Sequence, residues 1–236
     1  MVCLAEQAEK LIPRGAPIFS EKTLCPTPTD ADRLAFAGGE GLVFVMHKWE
    51  YHRGIHTLRA IADSGRIGSI EQVTCVRHGW RPPHREGDVL EYWAVHDLTI
   101  VRHILNTIPS PVFSLIRCDQ GMPSGLWAVL GEGPRALLSV DWHHPMHQRS
   151  VCIKGTKGTA ALETSHADHI LIRDHSGEEH VPFDNIMPLY AELKEFVDYL
   201  QGGPPPRCGL EHAREAAIAL DALRRADRSS IIGSVV

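Results

Sequence analysis

From Val112 to Phe183 the chain runs through seven short strand-like segments with no helical pattern between them. They are Val112 to Cys118, Gly125 to Gly131, Arg135 to Trp142, Arg149 to Lys154, Thr159 to Glu163, His169 to Asp174 and His180 to Phe183. Glycine-bearing turns separate them, Gly131-Glu-Gly-Pro134 and Gly155-Thr-Lys-Gly158 among them. Antiparallel neighbours need connections of only a few residues, whereas parallel ones need a long crossover. This spacing therefore commits the chain to a largely antiparallel sheet.

Helical patterns frame that sheet. Ile70 to Arg77 alternates as an earlier strand, between helices predicted over Glu50 to Ser64 and Leu90 to Leu105. Ile55, Leu58, Ile61 and Ala62 mark the apolar face of the first, and Val95, Leu98, Ile100, Val101, Ile104 and Leu105 that of the second. Pro188 to Leu200, closed by Gly202-Gly203, and Leu210 to Arg225 are the last two helices. The stiff run Pro204-Pro205-Pro206 joins them.

The first 48 residues obey a different rule. A short helix over Val2 to Leu11 is followed by a strand at Pro17 to Ser20. Thr27-Pro28-Thr29-Asp30 then places a capping hydroxyl ahead of a proline at the first helical position. That helix closes at Gly38-Gly39, and Leu42 to Met46 follows as a buried strand. Strands alternating with helices imply a parallel sheet covered on its faces. Two strands do not make an independent sheet, so the segment reads as part of a doubly wound unit. The expected class is α/β plus α+β, with residues 1–48 a partial parallel unit and residues 49–236 an open antiparallel sheet flanked by helices.

Composition narrows the function. The net charge of −5 is spread along the chain, which leaves no electrostatic footprint for nucleic acid. No run of eighteen apolar residues exists, and Glu6 and Glu9 stand where a signal peptide would carry basic residues. Six cysteines without a CxxC pair suit reduced thiols, so a cytoplasmic location is expected, with neither a nucleic-acid nor a membrane partner. Fifteen histidines form the one compositional oddity.

Three clusters could carry chemistry. Glu21-Lys22-Thr23-Leu24 follows a parallel strand, where ligands of open α/β sheets bind, although a lysine there is also an ordinary surface residue. A lysine in a partly closed site can polarise a hydroxyl or lower its own pKa and act as a base. Tyr92 and His96 lie four residues apart on one helical face, and histidine is readily poised as a general acid or base. The plainer reading of His96 is a satisfied core histidine. Asp141-Trp142-His143-His144-Pro145 ends a strand, with Trp142 and His144 expected on one face and Asp141 and His143 on the other. His52 and His56 have i, i+4 spacing, but His52-Arg-Gly-Ile-His56 lacks the glutamate of a metalloprotease helix, and no metal site is expected. There is no G-x-S-x-G or Walker loop. There is also no G-x-G-x-x-G, since Gly38-Gly39-Glu40-Gly41 ends a helix and precedes a strand.

Five stretches in colinear order resemble the Gfo/Idh/MocA oxidoreductases. "IFSEKTLCPTPTDADRLA" is similar to their Glu-Lys-Pro segment, and "VFVMHKWEYHRGIHTLRAIADSGRIGSI" to the passage between their two domains. "GDVLEYWAVHDLTIVRHIL" resembles their D-x-x-x-H-D-x-D helix, "LLSVDWHHPMHQRSVCIKGTKGTAALE" their Trp-x-x-Pro strand and hairpin, and the last two helices their C-terminal ones. The resemblance implies a Rossmann remnant over 1–48, a substrate-binding and dimerisation domain over 49–236, and a last helix returning to the remnant. It implies Lys22 beside nicotinamide and substrate, with Glu21 also on the cofactor side, and His96 exchanging a proton with a sugar hydroxyl. Tyr92 joins them as catalytic, and Trp142, His52, His144 and Arg77 are expected to bind substrate.

The departures from the family pattern are Tyr92 in place of its aspartate, Thr23 in place of proline, and His52-Arg53 in place of Asn-Pro. The glycine-rich phosphate loop is missing ahead of Met1, so an N-terminal truncation with impaired NAD(P) binding is expected. Three functions stay open: an NAD(P)-dependent oxidoreductase of a sugar, nucleotide sugar or cyclitol; a cofactor-independent dehydratase, isomerase or cyclase; and a non-catalytic subunit. The resemblance also implies pairing through the open sheet face, as a homodimer or higher oligomer, or with a full-length homologue.

Overall fold

The computed structural model describes residues 4–81 and 87–229. The expected start of the first helix, at Val2 and Cys3, lies outside them. An eight-stranded mixed sheet dominates, built from β3 (Ile70–Trp80), β4 (Pro111–Asp119), β5 (Met122–Leu130), β6 (Arg135–Asp141), β7 (His143–Gly155), β8 (Gly158–Leu162), β9 (His169–Asp174) and β10 (Gly177–Pro182). Their order is β10-β9-β8-β7-β3-β6-β5-β4. Every pairing is antiparallel except β3 with β6, where Val73 lies opposite Ala136. That parallel pair follows from the connection: the helix α4 (Val95–Leu105) and the β4–β5 hairpin intervene, enough chain to return β6 in the direction of β3.

One face of this sheet is packed and the other is open. Val73, Cys75 and Arg77 of β3 are buried on the packed side, while Thr74, Val76 and His78 are half-buried on the other. The packed face is covered by α3 (Arg53–Asp63), α4 and α6 (Leu210–Arg225), whose Leu58, Leu98 and Leu220 join one apolar core with Val73, Leu126, Leu138 and Ile153.

The smaller parallel sheet pairs β1 (Ile18–Ser20) with β2 (Val43–Val45). Helices α1 (Leu4–Leu11) and α2 (Pro28–Phe36) pack on it through Ala5, Ala8, Ala31 and Leu34. Helix α6 serves both cores: Ala213 and Ala217 face the smaller one, Ala216, Leu220 and Leu223 the larger. Helix α5 (Pro188–Leu200) precedes it, and the Val45 N–H donates to the Cys208 carbonyl at 2.8 Å, anchoring the returning chain on β2.

The capping box expected at Thr27 is present. The Thr27 side chain accepts from the Asp30 N–H, and the Asp30 carboxylate accepts from the Thr27 N–H at 3.2 Å. Replacing Thr27 by alanine should therefore lower stability by about 1 kcal/mol, read as a shift of the urea unfolding midpoint at constant slope.

Candidate active site

The small sheet and the long helix meet at one loop. Strand β1 ends at Ser20, and Glu21 and Lys22 emerge beyond its carboxyl end. The chain before α4 forms a π-helical turn over Leu90–Ala94, a local widening that takes backbone carbonyls out of the ordinary helical ladder. Two of those carbonyls hold the loop. Lys22 Nζ donates to the Glu91 and Tyr92 carbonyls at 3.3 and 3.1 Å, and Thr23 Oγ1 donates to the Glu91 carbonyl at 2.9 Å. The turn is itself pinned: Asp88 Oδ1 accepts from the Leu90 and Glu91 N–H groups. Arg224 of α6 then donates to Asp88 and Glu91 at 3.1 and 2.8 Å.

Above this junction lies a cavity of about 410 Å³, within the range of small-molecule sites. Glu21, Lys22, Lys48, Arg77, Arg81, Tyr92, Trp93, His96 and Arg149 line it. Tyr92 and His96 share a helical face as their spacing requires, and the Tyr92 ring carries Lys22 Nζ at 4.7 Å and the Arg81 guanidinium at 5.3 Å from its centroid. Arg77, from the packed side of β3, grips buried Asp97 with Nε and Nη2, the shortest contact being 2.7 Å.

Burial sets the protonation states. It lowers Lys22 to about 8; Glu21 opposes the shift, and Arg81, Lys48 and Arg77 add to it. His96 is held well below the usual imidazole range by burial first, then by Arg77 and Lys22, so it stays neutral at pH 7. Its Nδ1 has no hydrogen-bond partner among the described residues. The site thus pairs a titrating amine with a neutral imidazole, a combination able to exchange a proton with a hydroxyl.

Of the residues singled out from the sequence, Glu21, Lys22, Arg77, Tyr92 and His96 come together on this cavity. Trp142, His52 and His144 do not line it. Trp142 is buried at a turn between β6 and β7, where it meets Trp93 edge-on at 6.5 Å and stands behind the wall. The chain turns there instead of continuing as one strand, with the His143 N–H donating to Asp141 at 2.8 Å, so the expected alternation of Asp141 to His144 fails. His52 caps α3: its Nδ1 accepts from the Gly54 N–H at 3.1 Å, and its ring stacks on Trp49 at 5.0 Å. His144 stacks on His78 at 4.4 Å. His56 stacks on His103, which contacts Glu50 at 2.8 Å. The described residues contain no group of three or more His, Cys, Asp or Glu placed to hold a metal. No described helix is long and apolar enough to cross a membrane.

Lys48, Arg81, Trp93 and Arg149 line the cavity without having been singled out. For Arg149 a signal existed. It shares the inward phase of β7 with Val151 and Ile153, and it lies directly opposite Arg77 on β3. An arginine in the apolar phase of a strand is a polar group pointed at a site.

A dinucleotide fits this chain at one end. The Lys22–His96 cavity suits a nicotinamide ring with a substrate beside it. The start of α2, where a diphosphate would seek N–H donors, is closed by its own Thr27–Asp30 box, and that box sets a carboxylate there.

No family model matches the chain. An inositol 2-dehydrogenase of Rhizobium meliloti (strain 1021) is 24% identical over 232 residues, covering 84% of this chain and 67% of that protein. A second inositol 2-dehydrogenase, from Gluconacetobacter diazotrophicus, is 31% identical over 107 residues, covering 43% of this chain and 32% of its own. Among solved structures, the 3-ketoreductase KijD10 of Actinomadura kijaniata, in complex with TDP-benzene and NADP, has a TM-score of 0.86 at 20% identity. It covers 96% of this chain and 75% of its own. The aldose-aldose oxidoreductase of Caulobacter crescentus, complexed with glycerol, has a TM-score of 0.82 at 13% identity, with 96% and 74% covered.

Proposed function

We propose, on the premise that the chain belongs in fold and sequence with the Gfo/Idh/MocA oxidoreductases, that its cavity oxidises a hydroxyl or reduces a ketone of a sugar or cyclitol with a nicotinamide cofactor. The observation that carries this reading is the convergence of Lys22 and His96, from different elements, on one cavity. Residues 1–48 serve the cofactor side and residues 49–236 the substrate side. Copies pair through the open sheet face, where Trp127, Val129 and Leu137 are half-buried.

Glu21 and Lys22 would hold the ring of a nicotinamide, which would supply or take up the hydride when bound. The rest is the work of this chain's own side chains. Two of the three N–H groups of the Lys22 ammonium are committed to the Glu91 and Tyr92 carbonyls, which leaves one for the substrate oxygen. In the reductive direction that N–H delivers the proton to the forming alkoxide. In the oxidative direction the free amine receives it. The neutral His96 accepts a hydrogen bond from a neighbouring hydroxyl of the substrate and fixes its orientation, while Trp93 closes the apolar side of the cavity.

The direction of the Lys22 shift sets the pH dependence. With its pKa lowered to about 8, the free base grows through that pH. Oxidation of a polyol by NAD(P)+ should rise with pH and reach half its plateau near pH 8, whereas ketone reduction should decline across the same interval. An ordinary exposed lysine would place the break above about 10. His96, already neutral, adds no break between about pH 6 and 7. The test is the pH profile of kcat in both directions with myo-inositol, glucose and glucuronate. Profiles flat across pH 7–9, or an oxidation rate that falls as pH rises, overturn the assignment.

One observation favours a second reading: the amine, phenol and imidazole gathered on this cavity could run an elimination or isomerisation that needs no nicotinamide.

A further inference from the structure

The cavity has a charge pattern that a neutral polyol does not require. Lys22, Lys48, Arg77, Arg81 and Arg149 line it, with Glu21 the one carboxylate among its described lining residues. Among the described residues that line the cavity, five side chains are thus basic and one is a carboxylate, with Asp97 below held by Arg77. The whole chain carries a net charge of −5, so this excess is a local concentration and does not mirror the surface at large.

Arg77 and Arg149 make the point most sharply. They are direct cross-strand partners on β3 and β7, a placement that costs stability when both carry the same charge. Both project from the core-facing phase of their strands. Arg77 is neutralised by the bidentate grip on Asp97. Arg149 feels that same Asp97 only through space: its buried Nε is without a hydrogen-bond partner among the described residues, and its guanidinium stands 6.0 Å from the Trp93 ring. A half-buried guanidinium with an unfilled donor, on a cavity beside other cations, is placed to take up an anion.

We propose that the substrate carries an anionic group, a carboxylate or a phosphate, and that Arg149 receives it, with Lys48 beside it on the same cavity wall. The substrate class is then a sugar acid or a sugar phosphate, and a neutral sugar or cyclitol is a poorer ligand. Arg149 acts here as a specificity residue, whose planar fork fits carboxylate and phosphate oxygens in pairs. This inference rests on the cavity being the substrate site of the proposed oxidoreductase.

The test is calorimetric binding of matched pairs to the whole chain, with and without NAD(P)+. Glucuronate and glucose 6-phosphate are each compared with glucose, and myo-inositol 1-phosphate with myo-inositol. The anionic member should bind about ten- to a hundredfold tighter, and added salt should narrow the gap. Whichever of glucuronate and glucose 6-phosphate gives the larger ratio identifies the anion as carboxylate or phosphate. In Arg149→Met the ratio should fall towards one, and Arg149→Lys should restore part of it. A urea midpoint no lower than that of the parent chain in both variants shows that they fold. Equal affinity for charged and neutral members, or a ratio that survives Arg149→Met, overturns the proposal. Turnover of neutral polyols without preference would sink it while leaving the oxidoreductase reading standing. Binding of neither class would overturn both.

Discussion

Lys22→Met is expected to lower kcat/KM by about two to four powers of ten, the usual contribution of a positioned acid or base. Methionine keeps the length and apolar stem of lysine and removes the proton it exchanges. Stability should move the other way. Burial lowers the Lys22 pKa from 10.5 to about 8, so between those values the unfolded chain binds more protons than the folded one. Stability attributable to this residue therefore rises with pH from about 8 to 10.5, and at pH 7 the folded protein carries the full cost of a disfavoured ammonium. The variant should accordingly unfold at an equal or higher urea concentration while losing activity. A variant that loses stability and activity together would assign Lys22 to the fold, as a tie between the β1 loop and the Glu91 and Tyr92 carbonyls.

Asp97→Ala carries the largest expected loss of stability. Asp97 and Arg77 are both almost fully buried, and their bidentate contact is what makes an inward-facing arginine tolerable on β3. Removing the carboxylate leaves Arg77 without its partner, directly opposite Arg149, at a cost of about 3–5 kcal/mol. Removing both charges is a different matter. The double variant Arg77→Met, Asp97→Leu should recover most of that loss, because an apolar pair of similar volume restores the packing. Urea unfolding of the two variants distinguishes the cases, and equal losses in both would mean that the pair is held for its shape alone. Either change also alters the field around His96, which Arg77 helps to keep neutral.

The architecture was largely legible in the sequence, because it depends on periodicity and punctuation. Helices α5 and α6 begin and end where Pro188, Gly202 and the Leu210 stripe place them, and the Thr27 box forms from the residues that announce it. The parallel β3–β6 pair was not legible, since pairing partners depend on how α4 and the β4–β5 hairpin pack.

The site divides in the same way. Tyr92 and His96 follow from helical spacing, and Lys22 from its place after a parallel strand. Trp142 and His144 stand off this cavity because a turn at Trp142 interrupts an apparently continuous strand, a feature that alternation does not reveal. His52 also stands off the cavity, as a histidine just before a helix can cap it as well as bind a ligand. Arg149 was within reach: the run Arg149, Val151, Ile153 places a charge in the buried phase, as Val73, Cys75, Arg77 does on its neighbour. Reading both strands for charges in the apolar phase would have found the pair.

The active-site assignment is tested most directly by following the substrate's own hydrogen. The chain is incubated with NAD+ or NADP+ and with myo-inositol, glucose or glucuronate bearing deuterium on the carbinol carbons, and the nicotinamide is then analysed by mass spectrometry. Transfer of one deuterium to the nicotinamide, lost in Lys22→Met, is the expected result. Deuterium released to water while the nicotinamide stays unlabelled would contradict it, and would show that this cavity moves protons without moving hydride.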